Sequence, residues 1–157
     1  MKKSLLILGS IAVIAVVSGI LYFKYVGLSP VEVQKSAHAY VDGSIPEIVT
    51  DWDPEKLIDR ASPGLLQAGT RETFNELFAV LSDKLGKLKA YKGSTGQISM
   101  SPSITGMRVS GVYVGNAVFE KAPAEILCGL VSSDGQWRID EFRVRSPALD
   151  SQVPKGP

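Results

Sequence analysis

Leu5 to Phe23 is an uninterrupted run of nineteen residues without a charge, preceded only by Met1, Lys2, Lys3 and Ser4. About 18 apolar residues suffice for a helix to cross the hydrocarbon core of a bilayer. The run therefore predicts a membrane anchor over residues 1–27, carried by Leu5, Leu8, Ile11, Ile14, Val17, Leu21 and Phe23. Lys2 and Lys3 mark the cytoplasmic end, and Tyr22, Phe23 and Tyr25 supply aromatic rings for the opposite interface. The chain after Gly27 is expected outside the cytoplasm. The competing expectation is a cleaved signal peptide, with an apolar region from Leu5 to Val17 and a small-residue cleavage site at Val16–Ser18 or Val17–Gly19. Hydrophobicity that continues through Phe23 favours the retained anchor.

Residues 28–149 are long enough for one domain with a real core, and residues 150–157 form a polar tail. The single cysteine, Cys128, excludes an intrachain disulfide, and no cysteine follows the apolar run to accept a lipid. Cys128 lies in the run Ile126–Val131 and reads as a small buried apolar residue. Charge is unevenly spread: Leu28–Asp83 carries 10 acidic and 4 basic residues, and Lys84–Pro157 carries 6 acidic and 10 basic. Weak attraction between an acidic helical half and a basic sheet half accounts for this, and so would an acidic surface for a basic partner. No basic stripe with interleaved aromatics occurs, so no nucleic-acid partner is expected.

Ser29-Pro30-Val31-Glu32 is a helix start with a capping box. Val33, Ala37, Tyr40 and Val41 follow at helical spacing, and Asp42-Gly43-Ser44 is expected to interrupt or bend the helix. Ile45, Ile48, Val49 and Trp52 form a second stripe. Asp53-Pro54 and Ser62-Pro63 begin short helices with Asp53 as a cap. Thr70 caps the strongest helix, whose stripe is Phe74, Leu77, Phe78, Leu81, Leu85 and Leu88. From Tyr91 the period changes to two. Strands are expected over Gln97–Ser101, Met107–Glu120, Ala124–Ser132 and Gln136–Arg145, with a tight turn at Ser133-Asp134-Gly135. In the last strand Ile139 and Phe142 are out of phase, which predicts a bulge at Asp140-Glu141. Helices first and antiparallel strands after give an α+β fold, with helices on one face of a curved sheet of about four strands.

The segments Ile48–Asp53, Arg60–Pro63, Leu85–Leu88, Ala117–Phe119 and Asp134–Ile139 resemble the nuclear transport factor 2-like, or cystatin-like, cone-shaped α+β fold. The likeness covers Ser29–Leu149 and is nearest to small membrane-anchored bacterial envelope proteins. It implies an inner-membrane protein with its C-terminal domain in the periplasm. Because that fold hosts enzymes, ligand binders and assembly modules, it implies no single activity.

No catalytic residues, metal ligands or cofactor are expected. Asp51 and Asp53 do not share a helix face, His38 alone cannot hold a metal, and Gly93-Ser94-Thr95-Gly96 reads as a turn rather than a phosphate loop. Tyr40, Tyr91, Tyr113 and Asp140 lack a transferable motif. Arg138, Arg143 and Arg145 read as exposed strand charges that guard a sheet edge. The leading expectation is a non-catalytic accessory or assembly subunit, docking on a membrane-protein complex or on a second copy as a homodimer. The alternatives are a small apolar ligand held by Tyr113, Phe119, Trp137 and Phe142, and an isomerase- or dehydratase-like enzyme.

Overall fold

The computed structural model describes residues 29–104, 106–133 and 135–150. Two compact units divide the chain, Met1–Val33 and Gln34–Pro157. The elements are α1 (Pro30–Thr50), α2 (Pro54–Ile58), α3 (Pro63–Ala68), α4 (Arg71–Leu85), β1 (Leu88–Ser103), β2 (Gly106–Phe119), β3 (Pro123–Ser133), β4 (Gln136–Arg145) and α5 (Pro147–Asp150). The fold is α+β, with one antiparallel sheet in the order β1-β2-β3-β4.

The caps form as the sequence dictates. Ser29 Oγ accepts from the Glu32 amide, and the Glu32 carboxylate accepts from the Ser29 amide. Asp53, Ser62 and Thr70 cap α2, α3 and α4. Gly86 ends α4 with φ +74, a conformation that costs glycine nothing.

Two expected elements differ. Asp42-Gly43-Ser44 does not interrupt α1, which runs unbroken with Pro46 inside it. Ala37, Val41, Ile45, Ile48 and Val49 are all fully buried, and that continuous stripe outweighs one missing amide and one glycine. Gly93–Gly96 is not a simple turn but part of β1, which starts at Leu88 rather than Gln97. A register shift between Tyr91 and Ser94, with Gly93 at φ +90, inserts one extra residue into the strand there. Leu88 accordingly belongs to β1, and Leu77 points outward, 42% exposed.

The predicted bulge is present. Gly129 pairs with Glu141 and Leu130 with Ile139, so Asp140 is the extra residue and both Ile139 and Phe142 face the core. Arg60–Ser62 lies along the β4 edge beside it: the Ile139 amide donates to the Arg60 carbonyl (2.8 Å) and the Ser62 amide to the Ile139 carbonyl (2.7 Å). Ser62 Oγ also donates to Asp140. Ser62→Ala removes both a helix cap and the partner of Asp140, and is expected to cost about 1–2 kcal/mol in urea unfolding.

One core lies between the helices and a single sheet face. It joins the α1 stripe, Leu57, the α4 residues Phe74, Phe78, Leu81 and Leu85, and Tyr113, Ala117, Phe119, Ile126, Cys128, Leu130, Ile139 and Phe142 of the sheet. Among the described residues, no ion pair joins the two halves. Lys56–Asp51, Arg60–Glu47 and Arg71–Glu55 stay within the helical half, and Arg143–Glu141 within the sheet. Instead Arg138 donates to the Asp59 carbonyl and Lys121 to the Asp83 carbonyl, so two basic residues satisfy carbonyls near the C-terminal ends of α2 and α4.

Candidate functional site

The densest group of chemistry-bearing side chains is the seam between α1 and the edge strand β1. Gln34, His38 and Asp42 are four residues apart, and so share a helix face. The amides and carbonyls at Ser94, Gly96 and Ile98 meet that face. Gln34 Nε2 donates to the Gly96 carbonyl and Gln34 Oε1 accepts from the Ile98 amide, both at 3.0 Å. The carboxamide thus pairs with the strand edge much as a neighbouring strand would. Its second N–H donates to the Tyr113 hydroxyl at 3.0 Å.

His38 Nε2 lies 2.9 Å from the Ser94 carbonyl and 3.3 Å from Asp42 Oδ2. A carbonyl only accepts, so Nε2 carries the proton. Asp42 Oδ1 accepts from the Tyr91 hydroxyl (2.8 Å), the Ser94 amide (3.0 Å) and the Ser94 hydroxyl (2.7 Å). The Lys92-Gly93 bulge is what turns Ser94 inward to meet it. Tyr113 stacks on the His38 ring at 6.0 Å and 11°. Gly96 is required here, because a Cβ would sit 2.2 Å from the Val112 carbonyl and 2.6 Å from the Tyr113 ring.

These contacts set the protonation states. Partial burial pushes the Asp42 carboxyl up, but hydrogen bonds from Ser94 and Tyr91 and the proximity of His38 outweigh it and hold the group below its usual value. Burial, then the bond to Asp42, raises the Tyr91 hydroxyl well above its usual value. Burial likewise raises Tyr113 against the opposing bond from Gln34. At neutral pH the seam therefore holds one carboxylate and two neutral phenols, with its donors and acceptors engaged on one another. Its chemistry is that of a clamp fixing α1 to β1.

The residues singled out in the sequence fall elsewhere. Tyr113, Phe119 and Phe142 are buried in the core, and Trp137 packs at its margin, donating Nε1 to Ser36 Oγ at 3.0 Å. They are not brought together around a described cavity. Open clefts of about 540, 630 and 400 Å³ are lined by other residues, such as Phe74 and Arg71, Lys92 and Arg145, and Leu66 and Arg138. Asp53 caps α2, Asp51 pairs with Lys56, and Asp140 takes the Ser62 hydroxyl. Burial pushes the Cys128 thiol up to about 12, which keeps it protonated.

Sequence reasoning passed over Gln34, Asp42 and Ser94; the four-residue spacing of Gln34, His38 and Asp42 was the available signal. The anchor residues Leu5, Leu8, Ile11, Ile14, Val17, Leu21 and Phe23 lie outside the described residues. Among the described residues, no helix is long and apolar enough to cross a membrane, and no group of three His, Cys, Asp or Glu could hold a metal ion. No known protein family, curated protein or solved structure matches this chain.

Proposed function

We propose that this chain is a single-span membrane protein whose α+β domain lies outside the cytoplasm and serves as a non-catalytic accessory or assembly subunit of a larger membrane-protein complex. The observation that carries the reading is the nineteen-residue uncharged run Leu5–Phe23, followed by only the five residues Lys24–Leu28 before Ser29, the cap of the first helix. A joint that short keeps the domain at the membrane surface. The domain lends support in two ways. The seam's polar groups are spent on holding α1 to β1. The outer sheet face, opposite the core, presents Val112, 53% exposed, beside the half-buried Val114, Leu127 and Val131. Apolar side chains on an open face suit docking to a partner.

Two features support a cone-shaped sheet of nuclear transport factor 2-like kind as part of the same reading. Helices precede an uncrossed four-strand meander, and one face of the sheet holds the whole core.

The test is mild-detergent extraction of membranes, native size separation, and the intact mass of the chain in each fraction. The uncleaved chain is expected in the membrane fraction, within an assembly larger than itself. A photo-crosslinking residue in place of Val112 is expected to form adducts there, and one in place of Val80, on the exposed side of α4, is not. A chain that is cleaved and soluble, or that runs alone, defeats the proposal.

A further inference from the structure

The Lys92-Gly93 bulge that turns Ser94 towards α1 also shapes the opposite face of the sheet. Tyr91 pairs with Ala117 and Ser94 with Gly115, so Lys92 lies opposite Asn116. Asn116 pairs with Glu125, and Glu125 with Arg145. Their chain neighbours Tyr91, Ala117, Ala124 and Val144 pack on the core side. One transverse row of exposed polar side chains therefore crosses all four strands on the outer face. In order it reads cation, amide, carboxylate, cation. Strands about 4.8 Å apart put the two ends of the row about 14 Å apart.

All four residues line the open cleft of about 630 Å³, together with the apolar Val118, Pro123 and Pro147. Small-ligand sites span roughly 300–1,000 Å³, so the cleft has room for one. Glu125 and Arg145 oppose each other directly, which sets their Cβ atoms about 5 Å apart, and opposite charges so placed stabilise a sheet by pairing. Here they do not pair. Among the described residues, none of Lys92, Asn116, Glu125 and Arg145 makes an ion pair or a side-chain hydrogen bond. The seam on the α1 side spends its polar groups on one another; this row leaves its own open.

We propose that this cleft binds a small α-amino acid that carries a second carboxylate. The charge order decides the class. Two cations alone would accept any dianion. Glu125, beside Arg145, repels a plain dicarboxylate and attracts an ammonium. An α-carboxylate and an α-ammonium sit on one carbon, so Arg145 takes the first through its two-pronged guanidinium while Glu125 accepts from the second. The ligand's methylenes run over the apolar lining towards Asn116 and Lys92, which take the second carboxylate. The site stands independently of how the chain is held at a membrane.

The test is isothermal titration calorimetry of the full chain in detergent micelles with three probes: L-glutamate, glutarate, which lacks the ammonium, and L-norvaline, which lacks the second carboxylate. L-glutamate is expected to bind about tenfold more tightly than either of the others, the factor for one charge-assisted hydrogen bond. Arg145→Gln is expected to weaken L-glutamate by about the same factor. Glu125→Gln is expected to abolish the preference for L-glutamate over glutarate. Both side chains are exposed, so the fold is preserved. Arg143→Gln, on the same strand but paired with Glu141, is expected to leave binding unchanged. No binding of L-glutamate, equally tight binding of glutarate or L-norvaline, or L-glutamate binding that survives Arg145→Gln overturns the proposal.

Discussion

Trp52→Ala is expected to lower the free energy of unfolding by about 4 kcal/mol. Trp52 occupies the turn between α1 and α2 with φ +51, a left-handed conformation in which a bulky side chain is an outlier. The surroundings hold it there. Its indole stacks on Phe119 (5.1 Å, 27°), meets Phe78 edge-on (6.0 Å, 86°) and donates Nε1 to the Gly86 carbonyl at 2.8 Å. One side chain thus joins the end of α1, the C-cap of α4 and the last residue of β2. Alanine leaves a cavity among three elements, and strain of about 1–3 kcal/mol at the backbone stays, because alanine too disfavours positive φ. Trp52→Phe keeps most of the packing and leaves the Gly86 carbonyl unpartnered, for a smaller loss of about 1–2 kcal/mol. Urea unfolding followed by circular dichroism ranks the two. A loss below about 1 kcal/mol for alanine contradicts this account of the turn.

Several features of the fold were legible because local chemistry decides them. A cap needs one side-chain oxygen before a helix, and Ser29, Asp53, Ser62 and Thr70 all provide it. The β4 bulge was legible because Ile139 and Phe142 cannot both face the core of a regular strand. Other features depend on partners distant in sequence. Asp42-Gly43-Ser44 stays helical because Val41, Ile45 and Ile48 are covered by the sheet and α4. β1 has almost no apolar alternation; its strand character comes from pairing with β2 and from the α1 seam, which local propensity does not encode. The face formed by Gln34, His38 and Asp42 could be read from its spacing. Its partners could not, since they are mostly backbone groups of Ser94, Gly96 and Ile98, and a backbone group leaves no mark in a sequence.

Asp42→Ala is expected to cost about 3 kcal/mol, because it strands the Tyr91 hydroxyl and both the amide and hydroxyl of Ser94. The pH dependence isolates the charge. The folded-state carboxyl is depressed below its ordinary 3.8, so on acidification the unfolded chain binds the proton first. Stability is complete above that value and falls as pH drops towards the folded-state value, since the unfolded state then holds more protons. Asp42→Asn keeps an acceptor oxygen but cannot titrate, so its stability difference from the wild type is expected to shrink through that window. On the alkaline side the raised Tyr91 hydroxyl acts in the opposite direction: the unfolded phenol ionises first as pH passes 10.0, and stability falls from there. If the seam acts as a unit, Asp42→Ala combined with Tyr91→Phe costs about 1 kcal/mol less than the two single losses added together, because the double variant leaves no orphaned hydroxyl at Tyr91. Strict additivity in that cycle would mean that Asp42 and Tyr91 stabilise the domain separately, and that Asp42 holds α1 to β1 through Ser94 rather than through Tyr91.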